Sequence, residues 1–146
     1  MPPDRIRVLF LCVRNDCRSQ MAEAWARHLT GGRIESWSAG IVTGTLDPYA
    51  VQVMHEAGVD ISSHDSKQVN DLLTQPFDWV ITVADLAALT CPIFSSNSRT
   101  MHHGFADPSE LRRSGTTDTE ALAQYRITRD DIRVFVKSLC RVLLLN

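Results

Sequence analysis

Val8-Leu9-Phe10-Leu11-Cys12-Val13-Arg14-Asn15-Asp16-Cys17-Arg18-Ser19-Gln20-Met21 is the stretch whose reading decides both the fold and the chemistry of this chain. An apolar run suited to a strand buried on both faces delivers a cysteine into a short polar loop, and a helical pattern begins at Ser19. A thiol at the carboxyl end of a strand, just before a helix N-terminus, sits where backbone N–H groups and the helix dipole favour negative charge. The same field stabilises a thiolate at Cys12 and attracts an oxyanion to the loop. Arg18 offers a planar fork of donors matching two oxygens of a tetrahedral anion, and Ser19 a hydroxyl for the sulfur. Asn15 tolerates the left-handed backbone that aims successive N–H groups inward. Val13, Arg14, Asn15, Asp16, Cys17 and Arg18 are therefore the candidate oxyanion-binding residues, and Cys12 the candidate nucleophile. A cysteine and an arginine at this spacing alone would read equally as a buried thiol and a solvated charge; the strand before them and the Ser and helix after them decide otherwise.

Outward from this loop the pattern alternates strand and helix, which predicts a parallel sheet covered by helices on both faces. Strand one spans about Arg5 to Leu11, and the first helix runs from Ser19 to about Leu29 on an apolar stripe of Met21, Ala22, Trp25, Ala26 and Leu29. Ile34 to Ser38 reads as a second strand. Asp47-Pro48 opens a second helix with a capping side chain and a first-position proline, and Gly58 ends it. Phe77 to Ala84 is a third strand and Thr100 to His102 a short fourth. Thr117-Asp118-Thr119-Glu120 is a capping box that starts a long final helix, in which Ile132, Phe135, Val136, Leu139, Val142 and Leu143 recur at helical spacing. In an open parallel sheet, ligands bind outside the carboxyl ends of the strands, where the Cys12 loop lies.

Composition narrows the function classes. The 146 residues are 44% hydrophobic, enough for one domain over 1–146 with its own core. A net charge of -2 carries no basic footprint for nucleic acid. No apolar run is long enough to span a bilayer, and Met1-Pro2-Pro3-Asp4-Arg5 lacks a secretory pattern, so the expectation is a cytoplasmic protein without a membrane partner. Four cysteines, one in a reactive setting, fit intracellular redox chemistry better than a disulfide scaffold.

Attack by Cys12 on an oxyanion needs a proton for the departing oxygen. Asp107, followed by Pro108 in a turn-like segment, is the candidate general acid. His102 and His103 lack further ligands at zinc spacing and are read as rim residues without a role, so no metal is expected. Cys140, on the flank of the final helix stripe, reads as packing.

Read together, the loop, Ser19-Gln20-Met21-Ala22-Glu23-Ala24-Trp25-Ala26, Ser38-Ala39-Gly40, Pro48-Tyr49-Ala50, Gly58-Val59-Asp60-Ile61-Ser62, Cys91-Pro92, Asp107-Pro108 and Tyr125-Arg126-Ile127-Thr128-Arg129-Asp130-Asp131-Ile132 resemble the low-molecular-weight protein tyrosine phosphatase superfamily. They resemble most its thioredoxin-coupled arsenate reductase branch, over essentially the whole chain. Arg14 departs from a common glycine and Asp16 from a common serine; the added carboxylate should weaken or retune anion binding. The resemblance implies a four-stranded parallel sheet of order 2-1-3-4 and makes Asp107 the acid.

In that branch the first cysteine forms an arseno-thiol adduct, a second expels arsenite, and a third moves the disulfide outward. Cys12 and Cys91 match the first and third, whereas the second position holds Ala84. Release of the adduct would then fall to Cys17, to Cys91, or to an external reductant: thioredoxin, glutaredoxin or a small thiol. Cys17 also reads as a protective disulfide partner for Cys12 or as a small buried hydrophobe. Some members hold potassium with residues matching Asn15, Glu23 and Ser38 plus an acidic residue; Lys67 stands at that last position, so activity independent of potassium is expected. No bound cofactor is implied.

The leading expectation is thus arsenate reduction by Cys12, Arg18, Ser19, Asp107 and Cys91. Hydrolysis of tyrosine or aryl phosphate through a phosphocysteine is the alternative, supported by Ala84 and opposed by Ser109-Glu110-Leu111, where an aromatic pair would hold a phenyl ring. A non-catalytic oxyanion-binding protein is the third reading.

Overall fold

Val8, Leu9, Phe10 and Leu11 are fully buried, as expected of a strand with neighbours on both sides and helices packed against it. In the computed structural model, which describes residues 5–94, 97–110 and 115–145, this strand is β1 (Ile6–Cys12). The Met1-Pro2-Pro3-Asp4 stretch and Leu111 lie outside the described residues. β2 (Ile34–Gly40), β3 (Trp79–Thr82) and β4 (Arg99–His102) complete a four-stranded sheet of order β2-β1-β3-β4, all pairs parallel. The short edge strand β4 is exposed along its length and begins with an arginine, features that blunt an open sheet edge.

Register carries the chemistry. Cys12 is the last residue of β1 and pairs with Gly40, the last of β2, one residue beyond the strand end expected from sequence for β1 and two beyond that for β2. β3 is shorter than expected, because its ladder ends at Leu11↔Thr82. Backbone bonds nevertheless continue on either side, from Asp78 N–H to the Arg7 carbonyl and from Val83 N–H to that of Leu11.

Helix α1 (Arg18–Thr30) starts immediately after the loop and buries Met21, Ala22, Trp25 and Ala26. Gly31 ends it at φ 59, a left-handed C-cap that glycine adopts without a Cβ penalty. Helix α2 (Pro48–Glu56) begins as expected, with the Asp47 side chain accepting from Tyr49 N–H and Pro48 at the first position. A short helix α3 (Asp85–Leu89) follows β3, and α4 (Asp118–Leu144) is the long final helix, its Thr117 cap accepting from Glu120 N–H. α1 packs on β1, β2 and α4, and α2 on α4. Ile132, Val136, Leu139 and Leu143 of the α4 stripe are buried, but Val142 is 59% exposed. Leu143, in the same turn, stays buried, so Val142 lies at the solvent edge of the stripe rather than past the end of the core. Among the described residues no helix is long and apolar enough to cross a membrane.

Candidate active site

The loop after β1 is shaped by what holds its carbonyls. Cys12 O accepts from Ile41 N–H at 3.1 Å and Val13 O from Val42 N–H at 2.9 Å, so the chain leaving β2 runs beside the loop. Arg14 O accepts from the Ser66 hydroxyl at 2.8 Å, Asn15 O from the Gln20 amide at 3.1 Å, Asp16 O from Asp47 N–H at 3.0 Å and Cys17 O from Met21 N–H at 2.9 Å. Every carbonyl from Cys12 to Cys17 is thus turned outward and satisfied. The amides are left to face inward, the arrangement that binds an anion.

Asn15 makes the turn possible at φ 53, the only positive φ outside glycine among the described residues. Its carboxamide does more than tolerate that conformation. Nδ2 donates to Ser19 Oγ at 2.8 Å, while Oδ1 accepts from Lys67 N–H at 2.8 Å and from Gln20 Nε2 at 3.0 Å. Gln20 Nε2 also reaches Asp65 O, which fixes its amide orientation, so the contact of Gln20 Oε1 with His64 Nδ1 at 2.8 Å must be donated by the imidazole.

The sulfur of Cys12 is buried at the floor of this turn. Ser19 Oγ lies 2.8 Å from it, and Asn15 N–H donates to it at 3.3 Å. Because Ser19 Oγ already accepts from Asn15, its single proton is free to point at sulfur. Two donors converge on Cys12 Sγ, which suits a thiolate. Arg18 places Nη1 2.9 Å from Phe105 O and Nη2 3.9 Å from Asp107 Oδ2, bringing the guanidinium and the acid candidate to one rim. Asp107 Oδ1 accepts from Ser109 N–H and Oγ, at 2.9 and 2.7 Å.

The other cysteines are placed differently. Cys17 is fully buried at the N-cap of α1, and desolvation with the carboxylates of Asp47 and Asp16 pushes its thiol well above the usual range. Ala84, buried at the N-cap of α3, follows Val83, whose N–H bonds to Leu11 O; a residue here lies close to the level of Cys12. Cys91 is at the far end of α3, half-buried, and burial pushes its thiol up. It lines a cavity of about 570 Å³ with Thr82, Phe94, Met101 and His102, and no residue of the Cys12 loop lines that cavity. The geometry therefore joins Ser19 to Cys12 and Asp107 to Arg18 of the same loop, and sets Cys91 in a cavity that no loop residue lines. Cys140 is buried in packing, its thiol raised to about 11 by desolvation.

Sequence reasoning missed several supports. Gln20, His64 and Ser66 brace the loop, and Asp47, read only as a helix cap, also holds the Asp16 carbonyl. Its Oδ2 accepts from the buried Tyr125 hydroxyl of α4. His102 is bonded through Nδ1 to Thr82 and through Nε2 to Asp85, away from any metal role.

The residues do not fit a bound cation beside Asn15. Glu23 already accepts from Ser38 Oγ at 2.8 Å, and Arg27 and His64 stand 3.3 and 3.6 Å from its other oxygen. Lys67 meets Asn15 through its backbone N–H, while its ammonium donates to Asp65 O. Among the described residues no group of His, Cys, Asp or Glu has the makings of a metal site. Turnover is accordingly expected to be equal in potassium and sodium salts at constant ionic strength; a several-fold rise with potassium, read in an initial-rate assay, would contradict this.

The central strand of a parallel sheet thus ends on a doubly hydrogen-bonded cysteine, followed by a turn with its carbonyls held outward and an arginine at a helix N-terminus. The chain belongs to the low molecular weight phosphotyrosine protein phosphatase family, whose model matches residues 7–141. It is 40% identical to an arsenate reductase of Halalkalibacterium halodurans over 131 residues, 90% of this chain and 92% of that protein. An arsenate reductase of Bacillus subtilis is 38% identical over 125 residues, 86% and 88% of the two chains. Among solved structures, an arsenate reductase in the phosphate-binding state aligns with a TM-score of 0.78 at 29% identity, covering 93% of this chain and 97% of that one.

Proposed function

We propose that this protein is an arsenate reductase in which Cys12 attacks arsenic and an additional thiol releases arsenite. The observation that carries the reading is the convergence of Ser19 Oγ and Asn15 N–H on Cys12 Sγ within a turn whose carbonyls all face outward. Arsenate sits among the amides of Val13 to Arg18 with two oxygens on the Arg18 guanidinium. The Cys12 thiolate forms a sulfur–arsenic bond while one oxygen leaves as water, taking its proton from Asp107. A second thiolate then attacks Cys12 sulfur. A disulfide forms, the sulfur–arsenic bond breaks with its electron pair left on arsenic, and As(V) becomes As(III) as arsenite.

The choice of the second thiol is supported by what surrounds each cysteine. Cys17 is held protonated by burial and two carboxylates, and Ala84 has no sulfur. Cys91 is separated from Ala84 by α3, roughly 7.5 Å of helix. An external thiol therefore releases the adduct and leaves a mixed disulfide on Cys12; with a donor of the thioredoxin or glutaredoxin kind, Cys91 attacks the Cys12 sulfur as α3, which buries only Ala87, unwinds, the external thiol leaves, and the donor reduces the resulting Cys12–Cys91 disulfide. Leu89 and Ile93, 84% and 92% exposed on either side of Cys91, suit such a donor's apolar contact surface. The arsenate-reductase relatives favour this reading, and a soluble cytoplasmic setting supplies the reductant.

Mass spectrometry after exposure to arsenate and each reductant in turn tests it. The expected result is an adduct or mixed disulfide on Cys12 with arsenite released, and in Cys91→Ser a loss of tenfold or more with thioredoxin but little change with a small thiol. Strong aryl phosphate hydrolysis without arsenite would instead support the phosphatase reading, for which Ala84 is the favouring observation: water resolves a phosphocysteine with no second thiol.

A further inference from the structure

Asp16 sits between the buried Asn15 and Cys17 but is itself only half-buried. Its carbonyl is tied to Asp47 N–H, and the residue lines a cavity of about 430 Å³ with Arg14, Thr45, Leu46, Asp47, Pro48 and Ser109. Ser109 donates its hydroxyl to Asp107, so this cavity adjoins the acid, on the side where a group attached to the oxyanion departs. The Asp47 carboxylate is committed to Tyr49 N–H and the Tyr125 hydroxyl, and cannot serve that space. Burial and the carboxylates of Asp47 and Asp107 push the Asp16 carboxyl up, with Arg14 pulling the other way.

We propose that Asp16 is a specificity-determining residue: it keeps the leaving-group side of the loop polar and hydrated, admitting oxyanions that lose a hydroxyl and excluding aryl esters. The inference rests on the oxyanion reading of the Cys12 loop. An aromatic ring entering the cavity would pack on Leu46 and Pro48 only by stripping water from the Asp16 carboxylate, and it offers no hydrogen bond in return. Burying a charge without a partner is costly. A protonated oxyanion oxygen is small, leaves the carboxylate its water, and can donate a hydrogen bond to it.

Calorimetric titration with inorganic phosphate and with phenylphosphonate, a probe that cannot be hydrolysed, tests the proposal on the full chain. Wild type is expected to bind phosphate at least tenfold more tightly than phenylphosphonate. Asp16→Leu should shrink that preference at least tenfold, and Asp16→Asn, isosteric but uncharged, by a smaller factor. Asp16→Asn also covers the case in which the leucine variant fails to fold. If both variants tighten the two probes by one common factor, Asp16 acts only as a distant like charge and the proposal is overturned. An unchanged preference overturns it too. Binding of neither probe by wild type would instead overturn the oxyanion reading beneath it, which arsenite assays report separately.

Discussion

Cys12→Ser is expected to abolish arsenite formation and any aryl phosphate hydrolysis, by roughly 10⁴-fold or more, while inorganic phosphate still binds within a few-fold of wild type. The asymmetry follows from how the site is built. The nucleophile is one sulfur atom, and the two donors aimed at it stabilise a thiolate. A serine hydroxyl in the same place is a far weaker acid, and Ser19 and Asn15 cannot make it an alkoxide. The anion cradle, in contrast, is backbone: its amides face inward because partners from Ile41, Val42, Asp47, Ser66, Gln20 and Met21 hold the carbonyls outward. None of those bonds uses Cys12 Sγ. Steady-state rates and phosphate titration on the same preparation check both halves. Equal loss of binding and turnover would mean that the sulfur shapes the loop as well as reacting.

Much of this was legible along the chain, for physical reasons that are local. The β1 run, the caps at Asp47 and Thr117, the left-handed Asn15, and the order of Cys12, Arg18 and Ser19 each express a preference of a few neighbouring residues. What was not legible depends on segments meeting in space. Nothing in the order of residues says that Ser66 reaches the loop, or that Gln20 links Asn15 to His64, and Lys67 was placed beside Asn15 only by the family resemblance. Helix α3 escaped notice because only Ala87 of its five residues is buried, so no periodicity is written into it. Val142 misled in the opposite sense: its spacing fits the stripe, but it stands at the stripe's edge while Leu143 beside it is buried, and which edge the core covers is set by the packing of other elements. Asp47 was readable as a cap and unreadable as a clamp, since its N–H and its second oxygen find partners in two distant elements.

Gly40→Ala is expected to damage turnover nearly as much as loss of a catalytic side chain, although Gly40 has no side chain to contribute. It pairs with Cys12 at the end of β2, where the chain turns alongside the loop. A Cβ at this position would stand 2.5 Å from the Val42 carbonyl oxygen, 2.7 Å from the Arg14 carbonyl carbon and 2.7 Å from Asn15 N. All three are backbone atoms, so no rotamer change relieves the clash, and the nearest is in the residue whose N–H holds the Val13 carbonyl. The chain must move there, and Asn15 N–H is one of the two donors on Cys12 Sγ. Crowding of this kind typically costs about 1–3 kcal/mol of stability, and a displacement near 1 Å at reacting groups lowers rates about 100-fold. Denaturant unfolding beside initial rates separates the two effects. The expected variant remains folded at 25 °C, loses phosphate affinity, and falls about 100-fold in kcat/KM. Full activity in Gly40→Ala would show that the loop reaches its reactive shape without the close approach of β2.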